Sequence, residues 1–245
     1  MRLFFTQLAL LAVSYIVSEQ KQIAIMADEK SPVRISHRLF ATSCSETRIS
    51  MNNRLKQQLD FALEIDKEKN IFRQTHLSGH GRNENDAEHA WHMAIMAYLL
   101  QEYSNEPVDI AKVMLMCLIH DIVEIDAGDT YAYDAEGLKT QKAREDAAKE
   151  RIFSLLPDEQ KEELTALFDE FEAYETPESK FAHSMDNLQP LLLNNSNGGG
   201  DWREHGVTAE QVYGRQSKTR LGSEQLFEVV DRIIRENIEK GTIIN

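Results

Sequence analysis

Apolar residues recur at helical spacing from residue 51 to the end of the chain, and polar segments separate the apolar stripes. Leu55, Leu59 and Leu63 stand four residues apart, which predicts a first amphipathic helix with these leucines facing the core. A second stripe runs from His89 to Leu100 and follows Asp86, a residue type that caps helices. We therefore predict that Asp86 caps the second helix.

Further helical signals follow along the chain. The apolar run Val113–Ile119 belongs to a predicted helix that begins near Val108. Thr176–Pro177 combines a capping residue with a proline suited to the first helical position, which predicts the start of another helix. Helices are also predicted over residues 139–155, 158–171 and 223–240. Strand-like alternation and internal repeats are absent from the sequence, so it predicts an all-α fold.

Residues 1–50 differ in pattern from the remainder. Leu3 to Val17 is apolar and follows Arg2, as in a secretory leader, but no small-residue cleavage site follows. The apolar run is also shorter than the roughly 20 residues that a membrane-spanning helix needs. We therefore interpret residues 1–50 as a disordered extension, a mis-assigned start or a targeting segment. Residues 51–245 are the predicted working domain.

Composition narrows the class of partner and the compartment. The net charge of −14 argues against a nucleic-acid polymer, since proteins that bind one present a cationic face. The only two cysteines, Cys44 and Cys117, imply no disulfide framework and favour a reducing cytoplasm. Export is the alternative if residues 1–20 act as a signal peptide. No membrane association is predicted for residues 51–245.

The strongest chemical signal is the pair His120–Asp121, which ends the apolar run Val113–Ile119. His89 upstream and Asp186 downstream also lie in apolar helical stripes. With neutral imidazoles this set carries about two negative charges, so a divalent cation is needed to make it tolerable inside a fold. Mixed nitrogen and oxygen ligands suit Mn²⁺, Fe²⁺, Co²⁺, Ni²⁺, Zn²⁺ or Mg²⁺. We predict one divalent metal ion and leave its identity open.

Simpler interpretations of these residues stay open at this point. A His-Asp pair is common by chance, His89 can be a core histidine, and Asp186 can be an acid on a helix surface. His92 is either a neighbour of the site or a core residue, and we favour the core. His183 is a candidate ligand for a second metal ion, but the spacing of dinuclear relatives is not reproduced.

Two carboxylates after the His-Asp pair strengthen the metal interpretation. Glu124 lies four residues after His120 and shares its face if the helix continues. It can then orient a water molecule or transfer a proton to a leaving oxygen. Gly128 should break the helix and place Asp129 on a loop over the same site.

The chain resembles the HD-domain phosphohydrolase superfamily, and most closely its 5′-deoxynucleotidase-like (HD_3) branch. The resemblance extends over roughly residues 51–240, and its matching segments are Arg82–His89, His120–Glu124, Gly128–Asp129 and Asp186. It implies an HD-domain helical bundle. It also implies functional roles: metal ligands His89, His120, Asp121 and Asp186, the catalytic carboxylate Glu124, and the sugar contact Asp129.

The same family has a phosphate-binding arginine upstream of the first histidine, next to a tryptophan that screens against ribose. Arg73 can fill the phosphate role by this resemblance, whereas Gln74 stands where the tryptophan is expected. The sugar preference is therefore open. Arg82 is an alternative contact for the anion, or an exposed arginine that pairs with Glu84 or Asp86.

The implied function is metal-dependent removal of phosphate from a nucleoside 5′-monophosphate or a similar small phosphomonoester. There are two alternatives: a nucleotide pyrophosphohydrolase, and a non-catalytic protein that binds metal or nucleotide. The expected partner is a small phosphorylated substrate, namely a nucleotide. Relatives often form dimers, and a homodimer is possible here if the last helix exposes its apolar face, formed by Phe227, Val230, Ile234 and Ile238.

Overall fold

The computed structural model describes residues 52–79, 81–130 and 136–245, apart from the side chain of Leu138. The predictions for residues 1–50 therefore lie outside the described residues, and so does the proposed start of the working domain at Met51.

Helices dominate the described part of the chain, which confirms the all-α class. Its α-helices are α1 (Asn53–Glu64), α2 (Asp86–Leu100), α3 (Ile110–Ile119), α4 (Glu124–Ala127), α5 (Leu138–Phe153), α6 (Asp158–Ala173), α7 (Pro177–Ser196), α8 (Gly200–Glu204), α9 (Ala209–Gln216), α10 (Thr219–Gly222) and α11 (Glu224–Glu239). Two 3₁₀ helices, Ile65–Asn70 and Gln101–Tyr103, directly follow α1 and α2. Two short strands, β1 (Phe72–His76) and β2 (Asn83–Asn85), form an antiparallel pair.

The centre of the core lies where α2, α3 and α7 pack against one another. Met93 on α2, Met116 on α3, and Phe181 and Met185 on α7 are fully buried. Removing each of these side chains from water contributes about 1.5–3 kcal/mol. Asp186 directly follows Met185, so the packing that buries the methionine also fixes where the aspartate lies.

The starts of α7 and α2 show one correct and one incorrect capping prediction. Thr176 caps α7 by accepting a hydrogen bond from the backbone of Ser179, and the predicted start at Pro177 is confirmed. The predicted cap of α2 is wrong, because Asn85 is the capping residue and exchanges hydrogen bonds with Glu88. Asp86 is instead the first helical residue, and its side chain is buried.

The β-hairpin was not expected from the sequence, because its strands are short and mostly polar. Tertiary hydrogen bonds hold β1 against the start of α8. Asp201 accepts hydrogen bonds from the backbone N–H of His76 at 3.1 Å and pairs with its Nδ1 at 2.8 Å. The side chain of Asn197 donates to the carbonyls of His76 and Leu77. These contacts position Arg73, the second residue of β1, beside the start of α2.

The first predicted stripe is wrong in its orientation. Leu55, Leu59 and Leu63 are 48%, 47% and 73% exposed, and Phe61 is the buried residue of α1. Phe61 packs into the main core near Phe153, at 6.4 Å between ring centroids, so the aromatic side chain determines which face of α1 turns inward.

The last helix uses its apolar face inside the protein. Val230 and Ile234 on α11 are fully buried, and Phe227 and Ile238 pack partly buried against the core. The surface expected to permit a homodimer is therefore not exposed. Large apolar side chains are exposed instead on α2 and α3, among them Trp91 at 62%.

Among the described residues, no helix combines the length and the apolar character that crossing a membrane requires.

Candidate metal centre and its cavity

Three packed helices bring the predicted histidines and aspartates to one place. His89 lies one turn into α2, and Asp186 lies in the middle of α7. His120 and Asp121 directly follow the last residue of α3. His89, His120 and Asp121 are buried, and Asp186 is partly buried. The core packing of these helices thus converges on a polar centre.

The sequence left open that one helix continues from His120 to Glu124. In the structure it does not. The N–H of His120 still bonds to the carbonyl of Met116, but α3 ends at Ile119. The N–H of Glu124 bonds to the carbonyl of Asp121 at 2.8 Å, which makes a tighter turn of three residues. Glu124 then opens the short helix α4 and reaches the same cavity from this turn.

Distances between His89, His120 and Asp186 fit a single ion, and Asp121 lies beside them. Ligand atoms of His89, His120 and Asp186 all lie within 4.8 Å of one another. Nε2 of His89 lies 3.2 Å from Oδ1 of Asp186 and 4.0 Å from Oδ2 of Asp121. Nε2 of His120 lies 3.1 Å from Oδ1 of Asp121. With metal bonds of about 2.1 Å, neighbouring ligands of an octahedral ion are separated by about 3.0 Å and opposite ones by about 4.2 Å. The three nitrogen–oxygen distances lie between these limits.

The imidazole of His120 is oriented for metal binding. Its Nδ1 lies 3.0 Å from the carbonyl oxygen of Cys117, and because a carbonyl only accepts, Nδ1 carries the proton. Nε2 is therefore the nitrogen left for a metal ion, and it is buried with no hydrogen-bond partner among the described residues. A buried polar atom without a partner is costly unless a ligand satisfies it. The cluster is thus suited to hold a divalent metal ion.

The protonation states of His89 and of the two aspartates suit metal binding. Burial lowers the pKa of His89 to about 4, so the imidazole is neutral at pH 7. Burial alone would raise the pKa of Asp186, but Arg215 and the two histidines hold it well below its usual range. Burial opposes a charge on His120 too, yet the negative charge of Asp121 raises its pKa to about 9, so without metal the ring also carries a proton on Nε2, which a divalent ion has to displace. Burial opposes ionisation of Asp121 as well, but the charges of His120 and Arg73 hold its pKa below its usual range, so both carboxylates are ionised, as metal ligands must be.

Two arginines contact the two carboxylates of the cluster. Nη1 of Arg73 lies 2.7 Å from Oδ2 of Asp121 and 3.2 Å from Oδ1 of Asp86. Nη2 of Arg215, near the end of α9, lies 3.5 Å from Oδ1 of Asp186. Arg215 stands 29 residues after Asp186, and no sequence motif connects the two, so the sequence did not predict it.

Glu124 and Asp129 border the same cavity. Burial, and then the charges of Asp121 and Asp86, raise the pKa of Glu124 to about 12, so its carboxyl is protonated at neutral pH. Glu124 also hydrogen-bonds Asp86. The helix breaks at Gly128 as predicted, with a positive φ of 74°, and Asp129 follows it. Burial raises the pKa of Asp129.

Other candidate residues have different roles from those expected. Arg82 does not line the cavity; it is half-exposed and pairs with Glu88, so its placement gives no support to the interpretation as an anion contact, which stays a prediction. His183 lies against Phe171, with 3.9 Å between ring centroids, and its Nε2 donates to the Phe171 carbonyl. That bond turns the nitrogen away from the cluster. His92 is not a plain core residue, because it contacts Gln189 beside His89.

A cavity of about 660 Å³ opens beside the cluster. This volume is within the range of ligand pockets, about 300–1,000 Å³. Its wall continues along α7 from Asp186 through Pro190 to Asn194, and Trp202 and Gln211 also line it. Its charged residues near the cluster are Arg73, Asp121, Glu124, Asp129, Asp186 and Arg215.

A buried His and Asp cluster between packed helices, beside a polar cavity, defines a helical protein with a metal-binding centre. The sequence model of the HD domain family matches residues 65–227, and the chain belongs to the HD domain family.

Individual relatives agree with this assignment. The chain is 28% identical over 111 residues to the human protein named 5′-deoxynucleotidase HDDC2, a match of 45% of this chain and 53% of the human one. Its zebrafish counterpart (Danio rerio) is 30% identical over 109 residues, covering 44% and 53% of the two chains. The chain thus spans about half the length of these curated relatives.

The similarity to solved structures covers a larger part of this chain. A predicted metal-dependent phosphohydrolase from Magnetospirillum magnetotacticum MS-1 is 46% identical, with a TM-score of 0.76, over 79% of this chain and 97% of that one. A conserved hypothetical protein from Pyrococcus furiosus shares the fold, at 20% identity and a TM-score of 0.51, over 72% of this chain and 99% of that one.

Proposed function

We propose that this protein is a metal-dependent phosphomonoesterase that releases phosphate from a nucleoside 5′-monophosphate or a similar small ester. The observation that carries the proposal is the convergence of His89, His120 and Asp186 within 4.8 Å, with Asp121 beside them, at the wall of a cavity large enough for a nucleotide. The names of the relatives, a 5′-deoxynucleotidase and a metal-dependent phosphohydrolase, support the substrate class.

In this proposal His89, His120, Asp121 and Asp186 hold one divalent ion. When bound, such an ion lowers the pKa of a water molecule and polarises a phosphoryl oxygen. Mn²⁺, Co²⁺, Mg²⁺, Fe²⁺, Ni²⁺ and Zn²⁺ all suit two imidazoles and two carboxylates. The choice among them is left to the experiment below.

Arg73 and Arg215 bind the phosphate of the substrate. Each guanidinium contacts a different carboxylate of the cluster, so a phosphate bound at the cluster has a cation on two sides. Guanidinium groups bind phosphate by charge-assisted hydrogen bonds, often two at once. The pair also offsets part of the negative charge of the cavity, which would otherwise repel an anion.

Glu124 acts on the leaving group. Its carboxyl carries a proton at neutral pH because it is buried beside two other acids. It can therefore donate this proton to the ester oxygen as the bond to phosphorus breaks. A protonated leaving group departs as a neutral alcohol, which is far more stable than an alkoxide.

Asp129 accepts a hydrogen bond from a sugar hydroxyl of the substrate, since it lines the cavity on the loop after α4. Gln74 also lines the cavity, where a tryptophan would exclude ribose in this family, and the sugar preference is left to the substrate panel. A cytoplasmic location stays a prediction that rests on the low cysteine count.

The test is phosphate release from a panel of ribo- and deoxyribonucleoside 5′-monophosphates after chelation and reloading with each metal. Asp186→Asn should abolish release, and Asp169→Asn, on the surface beside Lys149, should not change it. Nucleoside di- and triphosphates in the panel separate the pyrophosphohydrolase alternative, which would release pyrophosphate or leave a monophosphate. Tight metal binding without turnover of any substrate would instead indicate a non-catalytic protein.

A further inference from the structure

A buried amide lies directly behind the metal-facing side of His89. Gln189 on α7 is fully buried, and its Oε1 lies 2.9 Å from Nδ1 of His89. Its Nε2 lies 2.6 Å from Oε1 of Glu84 and 3.1 Å from Nδ1 of His92. Both polar atoms of this side chain are therefore engaged, and none of the roles proposed above uses it.

The chemistry of these groups determines which way the amide points. Burial raises the pKa of Glu84 to about 7, and its ionised form only accepts hydrogen bonds, so above that pH the NH₂ group of Gln189 must face Glu84, as it does in the structure. The carbonyl oxygen then has to face His89, and it accepts a proton from Nδ1. With Glu84 ionised, the opposite orientation would place two oxygens 2.6 Å apart without a proton between them.

The consequence concerns the other ring nitrogen of His89. With the proton on Nδ1, the Nε2 atom has a free lone pair, and it points at Oδ1 of Asp186 from 3.2 Å. Two acceptor atoms at this distance repel each other unless a cation lies between them. The amide thus selects the tautomer of His89 that a metal ion requires.

The second imidazole of the cluster has the same tautomer once a metal ion displaces its Nε2 proton, but for a different reason. His120 donates from Nδ1 to the backbone carbonyl of Cys117, which side-chain substitution leaves in place. The tautomer of His89 depends instead on the side chains of Gln189 and Glu84. Glu84 is 2% exposed, and its second oxygen, 3.7 Å from Nδ1 of His89, has no hydrogen-bond partner among the described residues.

We propose that Glu84 and Gln189 are positioning residues that fix the tautomer and ring orientation of His89 and thereby set the affinity for the divalent ion. The inference rests on the proposed metal site but not on any particular substrate. Outer contacts of this kind change metal affinity by about 10–100-fold when they are removed.

The first experiment measures metal affinity without turnover. Full-length protein is stripped with a chelator and titrated with Mn²⁺ or Co²⁺ in competition with a chelating dye. Gln189→Met, which keeps the length of the side chain but makes no hydrogen bond to His89, should bind the ion about 10–100-fold more weakly. Asn237→Leu removes an equally buried amide on α11, away from the cavity, and should bind like the parent protein.

A double variant tests the polarity of the network. Glu84→Gln alone lets the amide of residue 189 reverse, so metal affinity should fall. Adding Gln189→Glu restores one arrangement, because the new carboxylate accepts from Nδ1 of His89 and from the new amide at position 84. The double variant should recover most of the lost affinity. Failure to recover, with both proteins folded, would overturn the proposed polarity.

The second readout is ¹⁵N NMR of the histidine rings in the metal-free protein, with His89 assigned by the loss of its signals in His89→Gln. The parent protein should show a proton on Nδ1 of His89, and Glu84→Gln should show a mixture of tautomers. A proton on Nε2 in the parent, or unchanged metal affinity of Gln189→Met, would overturn the inference. If the parent protein binds no divalent ion at all, the proposed function fails instead.

Discussion

The guanidinium of Arg73 donates a hydrogen bond to Asp121, with 2.7 Å between Nη1 and Oδ2. It also contacts Asp86 at 3.2 Å, and only 12% of the Arg73 side chain is exposed. One buried cation therefore compensates two buried carboxylates, of which Asp121 belongs to the metal cluster. Arg73 consequently has a structural role before any substrate binds.

Arg73→Met should accordingly affect stability and catalysis together. Removing the cation leaves Asp86 without a positive charge beside it and leaves Asp121 with His120 alone, and we expect the metal-free protein to lose about 3–5 kcal/mol of unfolding free energy. Phosphate release should also fall. Arg82→Met is the matched control, because Arg82 pairs with Glu88 at the surface, and its loss should cost less than about 0.5 kcal/mol. Urea titrations of both variants measure the difference; equal losses would contradict the prediction.

Arg215→Met tests the arginine that the sequence did not reveal. Loss of a charge-assisted hydrogen bond to phosphate should lower kcat/KM by about 10–100-fold and weaken inhibition by inorganic phosphate. Metal content should stay close to that of the parent protein. Arg203→Met, on the exposed side of α8, controls for the loss of one positive charge near the cavity. Parent-like kinetics of Arg215→Met would remove this residue from the phosphate site.

Glu124→Gln separates proton transfer from metal binding. The four proposed ligands are complete without Glu124, so the variant should fold and retain metal. Turnover should fall by about 10²–10⁴, the range expected when a positioned proton donor is lost. Asp126→Asn serves as the control, since Asp126 pairs with Arg151 at the surface. Loss of metal from Glu124→Gln would show that the residue is a ligand.

Glu68 should make the stability of the metal-free protein depend on pH. Burial, and then the charge of Asp121, raise its pKa to about 8, and one oxygen has no hydrogen-bond partner among the described residues. The folded state thus holds the proton more tightly than the unfolded state. This contribution to stability is fully present below the ordinary pKa of 4.5 and is lost as pH rises through about 8.

Urea titrations of metal-free protein across this pH window measure the effect. Glu68→Gln should weaken the dependence, because the amide has no proton to lose. Glu162→Gln, on the exposed face of α6, should retain the dependence of the parent protein. The same slope in Glu68→Gln as in the parent would assign the dependence to other acids of the cavity.

Gly222→Ala should destabilise the contact between α10 and α7. An added Cβ would lie 2.3 Å from the carbonyl oxygen of Lys180 and 2.3 Å from Oγ of Ser184, so one helix must shift. Such overpacking costs about 1–3 kcal/mol. Gly214→Ala, in α9 with open space around its Cβ, should be neutral or stabilising by up to about 1 kcal/mol. Thermal unfolding of the two variants compares them directly.

Local patterns in the sequence were sufficient for the long helices and for the choice of candidate metal-binding residues, but they did not predict the short helices α8, α9 and α10. The start of α7 at Pro177 depends on a cap and a proline that neighbour each other in the chain. The break at Gly128 depends on one residue without a side chain. The order of His89, His120–Asp121 and Asp186 within apolar stripes predicts convergence, because apolar stripes pack together and bring their flanking residues with them.

The pairings between residues that are distant in the sequence were determined only by the tertiary structure. Arg215 reaches Asp186, and Gln189 reaches Glu84 across 105 residues, only because separate helices and the hairpin pack side by side. Arg82 pairs locally with Glu88 instead of facing the cavity, and Phe61 rather than the leucine stripe turns α1 inward. Hydrophobic periodicity predicts which positions lie on one helix face. Which element packs against that face depends on the packing free energy of the whole fold, and this cannot be read from a local segment of the sequence.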